Sequence, residues 1–576
     1  MMIVPGSLGR LGAIASAIAQ WLPSGLFTTG VNGAWYDPSD LTTLYQDAAG
    51  ATPVTAVGQP VGLMLDKSKG LVLGPELVTN GNFSNGATGW TLGSGWTVVS
   101  GVAKKSTVGT ANAVSQSVGV SANKFYRVLF TVSELTAGSV NVRLGGTATV
   151  NFSATANGTY SIVIPSAGID AFVYFYSGST FDGAIDNISV RELPGNHAFN
   201  PSGNSANFPV LSARYNLLTK TETLTDSSVW QQLSNATVAA NGNYFTISDN
   251  NTTSASFIRY TTTSPAGTYT LSLICKKQTV FTSCARLALD SINGTSITFN
   301  PATGAFALSA GATGGVVDTN DGNFTITITA TLAASPSPVI APAVSTNPRP
   351  TSVSATFSAT GFLDVCYPDL RVANDALNQP TYQRVNTATD YDTVGFKPYL
   401  SFNGVNQWLQ TNSIDFTYGD NMFVSAGVRK LSDSATGILI EFSTAYNNVL
   451  GTFAVAAPSG AGSNSYRFIS GGTIAGAGLA GTGVFAAAPI TNIVSGIGSI
   501  SSPSAALRVD GTQVAQSTAS QGVGNYGNYQ LYLGARAGTS LFYNGRLYGL
   551  VVAGKSASAS EIASTEAWLN QKTGAY

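Results

Sequence analysis

Charge is scarce in this sequence: Asp, Glu, Lys and Arg make up 10% of the 576 residues and balance to a net charge of −1. Ordinary globular proteins carry roughly a quarter. A chain so nearly neutral, with no long Lys/Arg run, has no field to gather a polyanion, so nucleic acid is not an expected partner. Histidine occurs once, at His197. That excludes His-cluster metal sites and leaves one imidazole for acid–base work. Lying in a Gly/Asn/Pro-rich stretch, it reads as an exposed or turn residue and not as the base of a triad. The three cysteines, Cys275, Cys284 and Cys366, are too few and too scattered for a secreted disulfide framework. Cys275 and Cys284 flank an expected hairpin that would set them opposite one another, although small buried strand residues in a reducing cytoplasm are the simpler reading. No apolar run is long enough to span a bilayer, so membrane insertion is not expected.

Catalytic signatures are missing as well. There is no G-x-S-x-G elbow. Asp318 and Asp321 in "VVDTNDGN" are the nearest thing to a glycosidase-like carboxylate pair, but their Asn and Gly neighbours read as a turn. No enzyme is expected.

In place of charge the sequence holds 44% hydrophobic residues, 63 glycines and much Ser, Thr and Asn. Its mean hydropathy of +0.16 is too high for a disordered chain. Short β-branched and aromatic runs alternate with Gly/Asn/Ser/Pro punctuation, the pattern of sandwiches and barrels. "KFYRVLFTVSEL" (124–135), "TYSIVIPS" (159–166), "AFVYFYSG" (171–178), "GTYTLSLICKK" (267–277), "NFTITITATL" (323–332) and "NMFVSAGVRKL" (421–431) are expected strands. Asp510-Gly511 is an expected two-residue hairpin turn, because both residues tolerate positive φ. The length calls for several domains, so the fold class is all-β and multidomain. A helix signal comes only near the end, where Ser560 would cap a helix from Glu561 to Gly574 with Ile562, Thr565 and Leu569 on one face and Trp568 beside it. At the other end Leu11, Ile14, Ile18, Trp21 and Leu22 follow a helical period. With Arg10 before them they resemble a weak signal peptide, but a short amphipathic anchoring segment that docks on another protein is preferred.

An internal repeat divides the chain. "ELVTNGNFSNGATGW" (76–90) and "NLLTKTETLTDSSVW" (216–230) each place a leucine, Leu77 or Leu217, at the same distance before a tryptophan, Trp90 or Trp230. Each is followed by a strand-rich stretch, and each stretch closes on an apolar-Asp strand, "AIDNISVREL" (184–193) or "FLDVCYPDLR" (362–371). Two copies of one sandwich unit are the simplest account. A third unit opens on "YLSFNGVNQWLQT" (399–411) and closes on "YNGRLYGLVVAGKSASASEIASTEAWLNQKTGAY" (543–576).

These stretches resemble known modules. The third unit looks like a concanavalin A-like, laminin-G-type lectin sandwich with a short C-terminal helix. Residues 76–193 look like a carbohydrate-binding jelly roll of the family 4/9 type, and 216–371 resemble the related jelly roll of phage tail proteins. "GAWYDPSDLTTLYQDAAGATPVTAVGQPVGLMLDKS" (33–68) resembles a segment that precedes such lectin domains in phage structural proteins. In those relatives it leads through a "GNHA" and an "RPTYQ"-like stretch into the lectin strands; here "PGNHA" (194–198) and "NQPTYQR" (378–384) stand apart. The resemblance therefore implies two jelly rolls inserted ahead of a C-terminal sandwich. The units are a docking segment at 1–30, connectors at 31–75, 194–215 and 372–398, jelly rolls at 76–193 and 216–371, and a lectin-like sandwich at 399–576.

Glycan binding needs aromatic faces for pyranose rings and polar side chains for hydroxyls. Trp90 and Trp96 in a Gly-rich region, Tyr174 and Tyr176 at same-face strand spacing, and Trp408 in the third unit are the candidate residues. The repeated positions of Trp90 and Trp230 also fit a structural use. The resemblance brings in a structural calcium whose holders would be Glu76, Asn82 and Asp186, but no dense acidic loop is present and no cofactor is predicted. Asn403 and Asn406 stand where lectin relatives carry acidic residues, which weakens calcium-dependent sugar binding in that unit. The implied function is that of a phage virion protein, made in the bacterial host cytoplasm. It would be a tail fibre or spike that is homo-oligomeric, docked to other virion proteins through its N-terminal segment and displaying modules towards cell-surface glycans. A capsid decoration or head fibre is the alternative.

Overall fold

The computed structural model describes residues 21–105, 111–146, 152–264, 266–350, 359–373, 375, 380–476, 478–480 and 487–576. Leu11, Ile14 and Ile18 lie outside the described residues. Among those described, the chain is all-β apart from three short 3-10 turns and one α-helix. Six sheets pair face to face as three sandwiches, each with its own apolar core.

Period-two alternation builds the first sandwich. Its front sheet runs, in spatial order, Phe152–Ala154, Val140–Leu144, Phe172–Ser177, Asn112–Ser117 and Thr91–Leu92. The back sheet runs Gly158–Pro165, Phe125–Ala137, Asp182–Leu193, Val102–Lys105 and Trp96–Val99. Val140, Val142, Val173 and Phe175 point inward from the front and meet Val128, Phe130 and Ile162 from the back. The second sandwich repeats the arrangement. Cys284–Ala288, Val339–Ser345 and Phe257–Arg259 lie in its front sheet, and Gly267–Lys276, Asn323–Leu332 and Gly361–Val372 in its back sheet.

The two copies share brackets that explain the sequence repeat. The Trp90 indole donates to the carbonyl of Asn80, ten residues earlier, at 3.0 Å. Trp230 does the same to Lys220 at 3.2 Å. Both acceptor residues sit at φ 53°. Each module's entry segment and last strand are joined by one side-chain oxygen. Glu76 Oε1 accepts from Val78 N at 3.0 Å and Val190 N at 2.9 Å, and Asn216 Oδ1 accepts from Leu218 N at 3.1 Å and Leu370 N at 3.0 Å. Even the bulge in the last strand recurs, with Asn187 at φ 52° and Tyr367 at φ 57°.

The third sandwich draws on more than residues 399–576. Gly33–Tyr36 pairs with the far half of Asn544–Ala553, and Tyr399–Asn403 with the near half. Val210–Ser212 extends the same sheet beside Tyr399–Asn403. Leu44–Tyr45, Leu63–Met64 and Ala198–Phe199 lead into the opposite sheet through Leu409–Asp415. Ala34, Tyr36, Leu44, Val61, Met64, Ala198 and Leu211 lie in one core with Leu400, Val424 and Leu550. Two of the three stretches expected to be connectors, 31–75 and 194–215, thus supply strands of this sandwich, separated in sequence by the first jelly roll; 372–398 contributes no strand to it among the described residues.

The helix covers one face. It spans Ala559–Thr573 and is capped by Ser558, two residues before the expected Ser560, because Glu561 then falls where it can complete a capping box with the Ser558 amide. Gly574 ends it at φ 61°. Trp568 and Leu569 seat against Trp35, Phe423, Ile493 and Val551. Gly427 and Gly549, cross-strand partners, make the close approach feasible: a Cβ on Gly549 would stand 2.9 Å from the Trp568 ring, and one on Gly427 2.8 Å from Thr573. Asp510 and Gly511 form the expected hairpin turn at φ 48° and 77°. The expected hairpin between Cys275 and Cys284 does not form. The two lie in strands of different sheets, since Cys275 pairs with Phe324 and Val365, and Cys284 with Ser345; all three cysteines are free and buried.

Candidate glycan-binding face

Alternation in Phe172–Ser177 buries Val173, Phe175 and Ser177 and leaves Phe172, Tyr174 and Tyr176 on the outer face of the first module's front sheet. Alternate strand residues lie about 7 Å apart, so the three rings form a strip. Phe172 and Tyr174 are stacked with centroids 5.8 Å apart. The Tyr174 hydroxyl donates to Asp170 Oδ2 at 2.7 Å, and its pKa is pushed up to about 12, by burial first and then by that carboxylate. On the neighbouring strand Arg143 stands directly opposite Tyr174, and Asn141 opposite Tyr176. The Arg143 guanidinium lies 4.3 Å from the Tyr176 ring centroid, a cation–π contact. On the other side Ser115 faces Tyr174 and Ser117 faces Phe172. Aromatic surface flanked by amide, hydroxyl, carboxylate and guanidinium groups is the chemistry that holds a saccharide: rings stack, and polar edges bond hydroxyls.

The other aromatic candidates are placed elsewhere. Trp90 is 7% exposed and Trp96 5%, and both belong to the core between the sheets, against Phe83 and Phe181 respectively. The Gly-rich loops around them turn the indoles inward, so neither forms a surface platform. Trp408 is half-buried in the third sandwich, 6.2 Å from Tyr532 and packed over Gly538. Trp21, expected in the anchoring segment, is half-buried against the cluster of Leu26, Trp35 and Trp568 in this same chain.

Residues proposed for calcium do other work. The oxygens of Glu76 accept from the amides of Leu77, Val78 and Val190 and from the Ser189 hydroxyl. In the second module the neutral amide of Asn216 performs the same bracket. Asn82 is exposed and accepts from Ser84 N at 3.3 Å. Asp186 is half-buried, and burial raises its pKa. Among the described residues no group of three or more His, Cys, Asp or Glu is placed to hold a metal ion.

Nor do the acid–base candidates suit catalysis. His197 is fully buried, against the expectation of an exposed turn residue. Its Nδ1 accepts from Asp66 N at 2.9 Å, which fixes the proton on Nε2, 3.2 Å from the Leu193 carbonyl. Asp66 is spent in turn on the amides of Trp35, Ser68 and Asn196. Asp318 and Asp321 are held below the usual carboxylate range, Asp318 by Lys277 and Asp321 by the Thr319 hydroxyl, the reverse of what a proton-donating acid requires.

Phe172, Arg143 and Asn141 are residues of this face that sequence reading missed. "VNVRL" alternates visibly, but only the pairing register shows that its polar positions stand beside the tyrosines.

No family model matches the chain, and no curated protein matches it. Among solved structures, the mouse laminin alpha1 chain, domains LG4-5, is similar at 11% identity and a TM-score of 0.23, over 52% of this chain and 86% of that one. Trypanosoma rangeli sialidase is similar at 12% identity and a TM-score of 0.24, over 58% and 62%. A structure of NanB plus Optactamide is similar at 16% identity and a TM-score of 0.21, over 28% and 26%. The chain thus spans about a quarter of NanB and under two thirds of that sialidase. Similarity at this level carries no functional inference; the all-β, three-sandwich architecture stands on the chain's own sheets.

Proposed function

We propose that this chain is a non-enzymatic attachment protein of a bacteriophage particle, a tail fibre or spike, that holds cell-surface glycans on the outer front face of its first jelly roll. The observation that carries the glycan part is the strip of Phe172, Tyr174 and Tyr176 beside Arg143 and Asn141. Support for the virion part is the resemblance of residues 33–68 to segments of phage structural proteins, together with a nearly neutral, Ser/Thr/Asn-rich composition suited to an exposed, non-adhesive shell. One shallow face binds weakly, and a homo-oligomer would multiply it by avidity.

One observation favours the second reading, a capsid decoration or head fibre with architectural modules. The matching face of the second jelly roll is roofed: Ala255 and Ile292 pack over Ala341 and Val344. Electron microscopy with labelled antibody separates the two, since label on tails supports the fibre and label on heads supports the decoration. A protein absent from particles would end both. For the binding face, Tyr174→Ala is expected to weaken binding of the full chain to host glycans roughly tenfold, the scale of one ring-stacking contact. Unchanged affinity would remove the face from consideration.

A further inference from the structure

We propose that the second jelly roll carries its own saccharide site, for neutral hexose-based glycans, at the end of its back sheet around Phe362. The site is separate from the strip on the first module and stands whether or not that strip binds. Phe362 is 44% exposed, whereas phenyl rings are ordinarily buried. Alternation places it: Leu363 and Val365 turn into the core, so Phe362 and Asp364 face outward. Ser248 stands directly opposite Phe362 on the neighbouring strand Tyr244–Asp249. An open cavity of about 710 Å³ surrounds the ring, within the roughly 300–1,000 Å³ of ligand clefts. Thr246, Ser248, Asn250, Thr282 and Thr360 line it.

The lining selects the ligand. Thr246 is spent on Asp364, at 2.5 Å. The side chains of Ser248, Asn250, Thr282 and Thr360 make no hydrogen bond among the described residues. Three hydroxyls and an amide thus rim a bare ring face, on which the C–H face of a pyranose can stack. The Asn250 amide donates and accepts at once, which suits neighbouring sugar hydroxyls. No charged side chain lines the cavity among the described residues, and the charges beside it are committed. Asp249 accepts from the amides of Asn251 and Ser256, each at 2.8 Å, and Lys276 lies over the Tyr244 ring at 5.6 Å. Nothing there compensates an acidic sugar.

The two copies differ at this place. At equal distances before the bracketed amides of Leu370 and Val190, Phe362 corresponds to Asp182. Asp182 accepts from the Thr136 hydroxyl at 2.9 Å, and the nearby Lys104 pairs with Glu134. On the front sheets the contrast is reversed. The second module is roofed there, with Arg286 2% exposed and donating to the Ile292 carbonyl. Each copy keeps an exposed ring among polar groups, in a different place.

Calorimetry with neutral hexasaccharides of glucose, galactose and mannose tests the proposal. The full-length Tyr174→Ala chain is used, to set the first module's strip aside. It should bind at least one of the three at one site per chain, and adding Phe362→Ala should weaken that binding roughly tenfold, the scale of one stacking contact. Phe362→Trp keeps a ring face and should bind as tightly. Asn250→Ala should cost roughly fivefold with thermal unfolding unchanged. Failure of the Tyr174→Ala chain to bind any of the three overturns the proposal; binding by the wild type would then belong to the first module's strip. Affinity undiminished by Phe362→Ala overturns it as well. If Phe362→Ala changes the sedimentation of the chain and not its sugar affinity, the ring is a contact between copies and the proposal fails.

Discussion

Sealing the imidazole of His197 away from water lowers its pKa from 6.5 to about 4, first through burial, opposed by the Leu193 carbonyl and helped by the nearby charge of Arg127. The unfolded ring takes a proton below pH 6.5 while the native ring refuses it until about pH 4. Stability from this group is therefore complete above pH 6.5 and is lost as the pH falls towards 4, by at most about 3 kcal/mol for a shift of this size. Asp66, whose pKa burial raises, works in the opposite sense by taking up a proton in the native state at the acid end. Thermal unfolding between pH 7 and 4 should fall more steeply in the wild type than in His197→Asn, which keeps an acceptor for the Asp66 amide but does not titrate; equal slopes would show that the acid sensitivity comes from elsewhere. None of this was legible in "PGNHA", because His197 is packed against Phe125 and bonded to the Asp66 amide, both far away in the chain. Gln383 makes the same point in "NQPTYQR". It accepts from Tyr215 N at 2.7 Å and Asn216 N at 3.0 Å and donates to Ala213 and Asp392, knotting the second module's entry to its exit.

At the scale of single elements the sequence was most informative where side-chain period and turn chemistry agree. "NFTITITATL" and "NMFVSAGVRKL" are the strands Asn323–Leu332 and Asn421–Lys430, because alternation or a continuous apolar run leaves few other ways to bury those residues. The helix start was misplaced although its signal was present: Ser558-Ala559-Ser560-Glu561 offers two serines as caps, and the glutamate three residues after Ser558 decides between them. Ser558→Ala removes the acceptor for Glu561 N and should cost about 1 kcal/mol locally, seen as roughly fivefold faster amide exchange in the first turn of the helix. Exchange as slow as in the wild type would mean that packing of Trp568 and Leu569 alone holds the end. Cysteine pairing was beyond reach, since neighbouring strands in sequence can pass to opposite sheets of a sandwich.

For the whole molecule, the repeat from Leu77 to Trp90 and from Leu217 to Trp230 exposed the duplication, because the indole-to-carbonyl bracket fixes its own spacing. Which copy keeps an open face could not be read, as the roof over Arg286 depends on loops whose course sequence does not show. The insertion has a direct test. Leu217 N donates to the Leu370 carbonyl at 2.8 Å, so the second module enters and leaves on adjoining segments. Replacing residues 218–369 by a short Gly/Ser linker should leave a protease-resistant chain that still binds glycan through the first module, whereas deleting 31–75 should not, since it removes strands from the third sandwich. A linker variant that aggregates while the full chain does not would show that the second module is needed for the third to fold.

The same layout decides where mechanical load would travel. Lys572 in the helix bonds Asp37 at 2.7 Å, and Gly33–Tyr36 lies along Asn544–Ala553. Tension between the first described strand and the last helix is carried across one sandwich by a ladder of backbone bonds and that ion pair. Both jelly rolls hang outside the line of force, each shunted at its neck by the Glu76 or Asn216 bracket. Tension along that path would leave the strands of both jelly rolls unstretched.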